Sequence, residues 1–517
     1  MIGDTLIRAC SFYRNLKPLI CLATVFFLNS ETMATPPFSK SNRFELSYQS
    51  LMEINESLSD TQKVFWYSNF KTPSSDRFNL ELLTKEQSLG VNLAAILGYE
   101  QYKDYNLFGV ISGNVTYNSP IISAVISADA YTTQDRIGFP AQDIKFERFI
   151  KKDGQKPIEG ALDFRFNLPE AYLQSQIKFL TISSGKMKLR WGPGYKGTLG
   201  LSGTAYSPFY FYNINLNFGS IIGATAFLCG YDDETFYRKE LSFKDVTVVK
   251  ETKLDLRTNL PRYGAGQRLD LRIGKHVQIG FYELVDFFGS NELIRFANPL
   301  QVYYLSNESS GTNNSNLLGG MDFNVLVNRF RFYGEFLNDD ITVFEDAGNP
   351  NKYAFQLGTA YYGKGPLIQT GFEYTHLARY VYSHSRVLSR HSHWGESMGW
   401  PWGNDMDLFT IHAAFNLPYN IRGRTELNYW IKGNGRIEDD WYADGKPDLD
   451  HAPYWPQNSK RIVSAILAAE YSPFPWINLN FYYEPVWEEG KLTNGVYSYL
   501  QVGIPGNRKV EGRRLGE

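Results

Sequence analysis

The sequence predicts an all-β protein: a transmembrane antiparallel β-barrel of about 18 strands with a short helical periplasmic segment near its N-terminus. Three observations carry this. Apolar and polar residues alternate in segment after segment, the pattern of strands with one oily and one wet face. Aromatic residues make up 16% of the 517 residues, with 35 Tyr and 36 Phe, an excess that aromatic girdles at two membrane interfaces would absorb. Finally, connections alternate between a few residues and long polar stretches, the arrangement of a barrel with short periplasmic turns and long extracellular loops. A soluble double sandwich is the competing architecture; it needs the charged strand faces outside and leaves most tyrosines unexplained.

At the N-terminus, Arg8, Arg14 and Lys17 precede an apolar run over 18–28, and Thr32, Met33 and Ala34 offer small residues for cleavage. Residues 1–34 read as a signal peptide. Cys21 invites a lipoprotein reading, against which stands the bulky Ile20 before it. Past residue 38 no apolar segment approaches the roughly 18 residues of a membrane helix, so any membrane crossing must use strands. Cys229 is then the one cysteine left after processing, and reads as a small apolar strand residue. A formal charge of −2 gives no reason to expect nucleic acid as a partner, and a mean hydropathy of −0.33 speaks against a helical membrane protein, not against strands that are half apolar.

Residues 35–90 are expected to form a partly helical periplasmic segment. Leu51, Ile54 and Leu58 share one helical face, with Glu53, Glu56 and Asp60 elsewhere; a disordered lead-in is the alternative. From 91 to 505 the period-2 runs recur, among them 110–117, 121–131, 172–182, 269–281, 323–336, 354–362, 367–376, 408–415, 421–432, 462–471, 477–484 and 496–504. In 421–432, Ile421, Thr425, Leu427, Tyr429 and Ile431 alternate with Arg422, Arg424, Glu426, Asn428 and Lys432, and Trp430 interrupts the polar set. Long loops are expected over 231–268, 305–318, 379–406 and 436–460, and 506–517 as a charged tail.

The stretch 188–218, KLRWGPGYKGTLGLSGTAYSPFYFYNINLNF, organises this region. A basic, tryptophan-bearing segment turns at Gly192, Pro193 and Gly194, and leads into a run where Tyr210, Tyr212, Ile214, Leu216 and Phe218 share one parity. Asn213, Asn215 and Asn217 take the other. A row of amides builds a poor dry core, because an amide buried without partners costs on the order of 2 kcal/mol, so that face should be wet.

At RWGPGYKGTLGLS (190–202) the chain resembles the Wzi family of capsule-assembly proteins. RFANPLQVYYLSNE (295–308), LLGGMDFNV (317–325), YGEFLNDDI (333–341), HSHWGESMGWPWGNDMDLF (391–409) and LNYWIKG (427–433) carry the resemblance further, in family order. It implies an outer-membrane barrel, long loops extracellular, that binds or anchors capsular or other surface polysaccharide. Outer-membrane lipid, lipopolysaccharide and the barrel insertion machinery are the further partners. Neither cofactor nor metal nor catalytic residue is expected, and the chain is read as no enzyme. A substrate-specific porin for saccharides or small anionic solutes is the alternative. The last strand departs from the common barrel pattern by continuing past Ile504 into a charged tail.

Candidate polysaccharide contacts are Arg190, Trp191, Trp394, Trp400 and Trp402, because an indole face stacks on sugar C–H groups and a guanidinium donates several hydrogen bonds. For Arg190 and Trp191 the competing reading is a structural turn, with Trp191 anchored at the membrane interface and Arg190 paired to a lumen carboxylate. Arg329, Arg331, Glu335, Asp339 and Asp340 are expected to form a lumen ladder of opposite charges across neighbouring strands. A glycosidase carboxylate pair is the minor alternative there, and Asp322 falls on the wrong parity for the ladder. His384, His391 and His393 sit among the loop tryptophans; His391 and His393 have a spacing that metals accept, with no cysteine or ordered carboxylate beside them.

Overall fold

The computed structural model describes residues 79–83, 88–101, 105–118, 121–133, 163–177, 179–187, 189–202, 209–218, 221–231, 261–274, 276–299, 301–308, 314–340, 350–363, 365–393, 396–437, 439, 459–474, 477–503 and 508–511. The expected leader, the helical reading of 51–58, Lys188 and Trp394 lie outside them.

Twenty strands form one sheet: β1 (Asn79–Leu83), β2 (Ser88–Gln101), β3 (Tyr105–Asn118), β4 (Ile122–Thr133), β5 (Asp163–Ile177), β6 (Leu180–Met187), β9 (Phe209–Phe218), β10 (Ile222–Tyr231), β11 (Arg262–Ile273), β12 (Val277–Phe288), β13 (Ser315–Val327), β14 (Phe330–Asp340), β15 (Lys352–Tyr362), β16 (Leu367–Leu377), β19 (Met406–Leu417), β20 (Ile421–Lys432), β21 (Lys460–Phe474), β22 (Ile477–Glu488), β23 (Lys491–Gly503) and β24 (Arg508–Glu511). Two-residue pairs make up the rest: β7 (Arg190–Trp191) with β8 (Leu201–Ser202), and β17 (Ser392–His393) with β18 (Glu396–Ser397).

Successive long strands pair antiparallel all the way round, and the first of them returns to the last: Ala94 to Gln101 of β2 lie against Gly503 to Val496 of β23. With β1 and β24 set aside, the ring has eighteen strands, so no edge is left open along it. Its outer wall is apolar on every side, from Leu97, Ile126 and Leu173 round to Phe336, Phe372, Ile411, Leu467 and Phe481, all exposed. On β9 the outward residues are Tyr210, Tyr212, Ile214 and Phe218, while Asn213 is buried on the inner wall.

The two ends differ. On one, strands are joined by turns such as 178–179, 328–329 and 418–420; on the other, 134–162, 232–261, 289–314, 378–405 and 433–459 intervene. Exposed Phe179, Phe218, Phe330, Tyr419 and Phe474 gather near the short-turn end, one aromatic girdle.

Two expectations need correction. The runs 172–182, 269–281 and 323–336 are not single strands but parts of hairpins, reversed at 178–179, 274–276 and 328–329; β-rich residues flank two- or three-residue turns so closely that alternation barely falters. The reversal also swaps parity, which is why Asp322 stands opposite Glu335 on the inner wall. Within the charged tail, β24 runs parallel to β1, Leu80 against Arg508, and β1 in turn pairs with the lower part of β2, Asn79 against Asn92. The barrel itself begins at Ser88. Trp430 belongs to the inward set, buried beneath the loop tryptophans rather than facing water.

Candidate functional site: two loops held inside the ring

The residues 189–202 do not stand out from the barrel. They turn inward and lie against the inner faces of β12, β14, β15, β16, β19 and β20, where all but Arg190 and Tyr195 are buried. Backbone inside a barrel must find partners for its N–H groups; two glutamates provide them, and a third holds side chains of the same loop. Glu335 on β14 accepts the Leu199 and Gly200 amides at 2.9 and 3.1 Å and the Tyr282 hydroxyl at 2.7 Å. Glu373 on β16 accepts the Tyr195 and Lys196 amides at 2.5 and 3.0 Å, and the Tyr333 hydroxyl at 2.9 Å. Glu426 on β20 accepts the Tyr195 hydroxyl at 2.9 Å and forms a buried ion pair with Lys196. Such charge-assisted bonds are roughly twice as strong as neutral ones.

Small residues make the approach possible. Gly192 has φ +114°, a conformation L side chains rarely adopt, and any Cβ there would collide with Glu335. A Cβ on Gly197 would sit 2.6 Å from Cδ of Pro401, in the second inserted loop. Tyr195 stacks on the His412 ring at 3.6 Å between centroids, and Arg331 donates to the Pro193 carbonyl at 2.8 Å.

The second loop, 378–405, closes over the first. The Tyr382 hydroxyl donates to the Leu199 carbonyl at 2.7 Å and accepts the Trp400 amide at 3.0 Å; the Ser202 amide donates to the Met398 carbonyl at 2.9 Å. Asp339 accepts the Tyr382 amide at 2.7 Å, and Arg262 donates to the carbonyls of Leu388, Arg390 and Ser392 at 2.6, 2.6 and 3.1 Å. His391 stands between Asp286, 2.7 Å from Nδ1, and the Gly200 carbonyl, 2.8 Å from Nε2. Burial opposes its charge, yet the Asp286 carboxylate prevails and its pKa is raised. With a carboxylate on one nitrogen and a carbonyl on the other, the imidazolium fits both. His384 is the opposite case: burial and the nearby Lys352 push it down to about 3, and its Nδ1 accepts the Arg386 amide at 3.1 Å.

The candidate contact residues now have places. Trp191 is 1% exposed and packs edge-on against Phe227 at 5.2 Å. Trp400 and Trp402 are buried and adjoin each other at 5.3 Å, with Trp402 against Trp430 at 5.2 Å. Arg190 donates to the Gly194 carbonyl within its own turn. In this arrangement the three tryptophans fill the junction between the loops and the wall and present no open face for stacking. Trp191 thus lies buried in the lumen and not at the membrane interface.

The expected ladder is likewise redrawn. Glu335 and Asp339 are occupied by loop amides, Arg331 donates to Asn324 at 2.7 Å as well as to Pro193, and Asp340 pairs with Lys352 across the strand gap at 2.7 Å. Arg329 sits in the tight turn at the opposite end. Inward carboxylates satisfy backbone donors here because the loop enters with several N–H groups and few cations. A charge cluster the alternation had missed does exist: Arg268 bridges Asp270 at 2.7 Å and Asp322 at 2.5 Å, all buried. Glu335 and Glu373 each accept from two loop amides and a tyrosine hydroxyl, the arrangement of a clamp on the loop backbone.

Comparison with known proteins follows the same lines. The chain matches the family of the capsule assembly protein Wzi over residues 87–436. Among solved structures it is similar to Escherichia coli Wzi, an outer-membrane protein of group 1 capsule assembly described as a carbohydrate-binding β-barrel. That match has 13% identity, a TM-score of 0.52, and covers 80% of this chain and 85% of that one. Pseudomonas aeruginosa OccD3 (9% identity, TM-score 0.46, covering 84% and 96%) and a BenF-like porin from Pseudomonas fluorescens (7%, 0.43, covering 81% and 98%) are more distant. No curated protein matches the chain in sequence.

Proposed function

The chain belongs to the Wzi family of capsule assembly proteins, outer-membrane β-barrels, and from that premise we propose that it anchors surface polysaccharide at its extracellular loop end without catalysing a reaction on it. The observation that carries the proposal is the clamped pair of loops. Two of the connections on the long-loop end fold back into the ring, the first fixed there by Glu335, Glu373 and Glu426 and the second by Asp339, Arg262 and Asp286, which suits a static platform better than a conduit. Trp191, Trp400 and Trp402 act by holding the platform's shape. Trp394 and the outer parts of the long loops make the sugar contacts, each weak and summed along a repeating chain by multivalency. Outer-membrane phospholipid and lipopolysaccharide surround the apolar wall, and the barrel insertion machinery is the assembly partner.

A second reading, a channel for saccharides or small anionic solutes, draws on the inner wall of β9, where the amide oxygens of Asn213, Asn215 and Asn217 have no protein partner. Single-channel conductance in a planar bilayer separates the two, measured together with retention of the strain's own polysaccharide on immobilised protein. Negligible conductance with retained polysaccharide is expected. Large, steady conductance unaffected by polysaccharide overturns the anchor. Trp400→Ala is expected to weaken retention and to raise conductance together, since it loosens both loops.

A further inference from the structure

The connection from β12 to β13 holds two short helices, α1 (Ser290–Phe296) and α2 (Tyr303–Glu308), and it turns the other way from the loops above. Phe296 and Tyr303 are buried against Ala265, Val285 and Phe287, with Leu228, Tyr263, Leu293 and Leu317 packed around them. These strand residues have the outward parity: on β12 it is Tyr282, Leu284 and Asp286 that face the lumen groups, so Val285 and Phe287 face out. The helical pair therefore lies on the external wall.

Its height follows from the register. Gln267 and Glu283, an outward pair, lie six residues above the turn at Ile273 and Val277. At about 3.3 Å per residue and a strand tilt of about 40°, that is roughly 15 Å up an apolar band about 25 Å tall. The helices thus cover the wall within the band and not above it. On β9 the residue in the row of Val285 and Ala265, which the helices cover, is Tyr212, 70% exposed; where the helices stop, the wall is open to lipid.

Two polar residues at such a depth need an explanation, because a carboxylate on the lipid face is costly. Glu283 accepts the Tyr303 amide at 2.9 Å and the Gln267 side-chain amide at 2.7 Å, and the same Gln267 nitrogen donates to the Gln301 carbonyl at 2.9 Å. They form a clasp that pins the start of α2 to the wall. On the far side the pair presents Ile294 (78% exposed), Val302, Tyr304 and Leu305 (65%). Lower on the same wall come Leu269, Phe281 and Met321 of the lipid-facing belt, also exposed.

We propose that α1 and α2 form a membrane footing: an element clasped to the outside of the barrel through Glu283 and Gln267, with Ile294, Val302, Tyr304 and Leu305 seated among the acyl chains of the outer leaflet. The occupant is lipid because the apolar face continues the belt that lipid already covers. The footing seats the barrel in depth and rotation, independently of whether polysaccharide binds.

The test places a bimane label at Leu305→Cys and, separately, at Ile294→Cys, in the full chain with Cys10 and Cys21 replaced by serine; Cys229 is buried. The protein is reconstituted into phosphatidylcholine vesicles with brominated acyl chains. Quenching by bromine as strong as at Phe281→Cys, with protection from aqueous iodide, is the expected result. Iodide quenching equal to that at Glu489→Cys, in an exposed turn, with no effect of bromine, overturns the footing. Loss of bromine quenching at the labelled site, together with a disulfide formed between two unlabelled Leu305→Cys chains under copper–phenanthroline oxidation, assigns the face to a second copy and overturns it equally. Val302→Cys repeats the reading if either variant fails to insert.

Discussion

Replacing Glu335 by glutamine isolates the clamp. The carboxylate accepts at both oxygens, Leu199 at one and Gly200 with Tyr282 at the other. Glutamine keeps the shape but offers one acceptor oxygen. Whichever way the amide is turned, its NH₂ faces a donor, so at least one buried N–H or O–H loses its partner and the remaining bonds lose their charge. An unmade bond of this kind costs about 1–3 kcal/mol, and bonds to charged groups contribute about 1.5–3, so the loop should be weakened locally by about 2–4 kcal/mol. At 1.4 kcal/mol per tenfold, amide exchange at Leu199 and Gly200 should quicken by about 30- to 700-fold when opening limits it. Hydrogen exchange with peptide-level resolution over 189–202 reads this directly. The strands flanking Glu335 serve as internal reference and should keep their protection. Unchanged exchange at both amides in a folded Glu335→Gln barrel would refute the view that this carboxylate holds the loop.

Three further outcomes follow from the same geometry. Gly197→Ala puts a Cβ against Pro401, and overpacking of that kind costs about 1–3 kcal/mol; a fall in thermal midpoint together with faster exchange in both 189–202 and 378–405 is expected, and a change confined to one loop would argue against their contact. The two loop histidines give opposite limbs of a pH profile. His391, its pKa raised by Asp286, contributes stability that is complete below about 6.5 and is lost as pH rises through its folded value. His384, depressed to about 3, contributes stability that is complete above about 6.5 and is lost as pH falls towards 3. Loop protection should therefore decline on both sides, with Asp286→Asn removing the alkaline limb and His384→Asn the acid one. On the lipid face, Phe336→Arg should cost about 2–4 kcal/mol and Phe330→Arg, near the turn, about 0–1; equal effects on denaturant unfolding in lipid would contradict the membrane position.

How much of this was legible in the sequence depended on which physical rule was local. Alternation is local, so Leu427 and Tyr429 against Glu426 and Asn428 gave the two faces of β20, and the tyrosines and asparagines of β9 sorted themselves correctly. The length of a strand with its connection, roughly 25 residues, is local too, and a ring of about 18 strands followed from it. The direction in which a loop folds is not. Nothing in RWGPGYKGTLGLS states that its amides meet Glu335 and Glu373, which lie about 140 and 175 residues further on; its glycines and proline signal only that backbone must come close to something. Tryptophans in a polar loop look like exposed platforms for the same reason, since burial beneath another loop is a tertiary fact. RFANPLQVYYLSNE carries a helical hint in its apolar spacing, but its attachment to the outside wall depends on Glu283 and Gln267, each of which looks like an ordinary interruption of a strand.

The meeting of β2 with β23 has a consequence in time. It joins residues about 400 apart in the chain, and closing a loop of that length costs about 5 kcal/mol in chain entropy by the logarithmic rule, to be recovered from one strand pair. Until that strand is in place, β2 and the last strand laid down each carry a row of unmade backbone bonds, which hydrocarbon does not tolerate. A growing ring therefore has no stable halfway state in lipid, and the strand that completes it follows the one it meets by about 400 residues. The cell receives either a finished cylinder or a chain still awaiting its final strand.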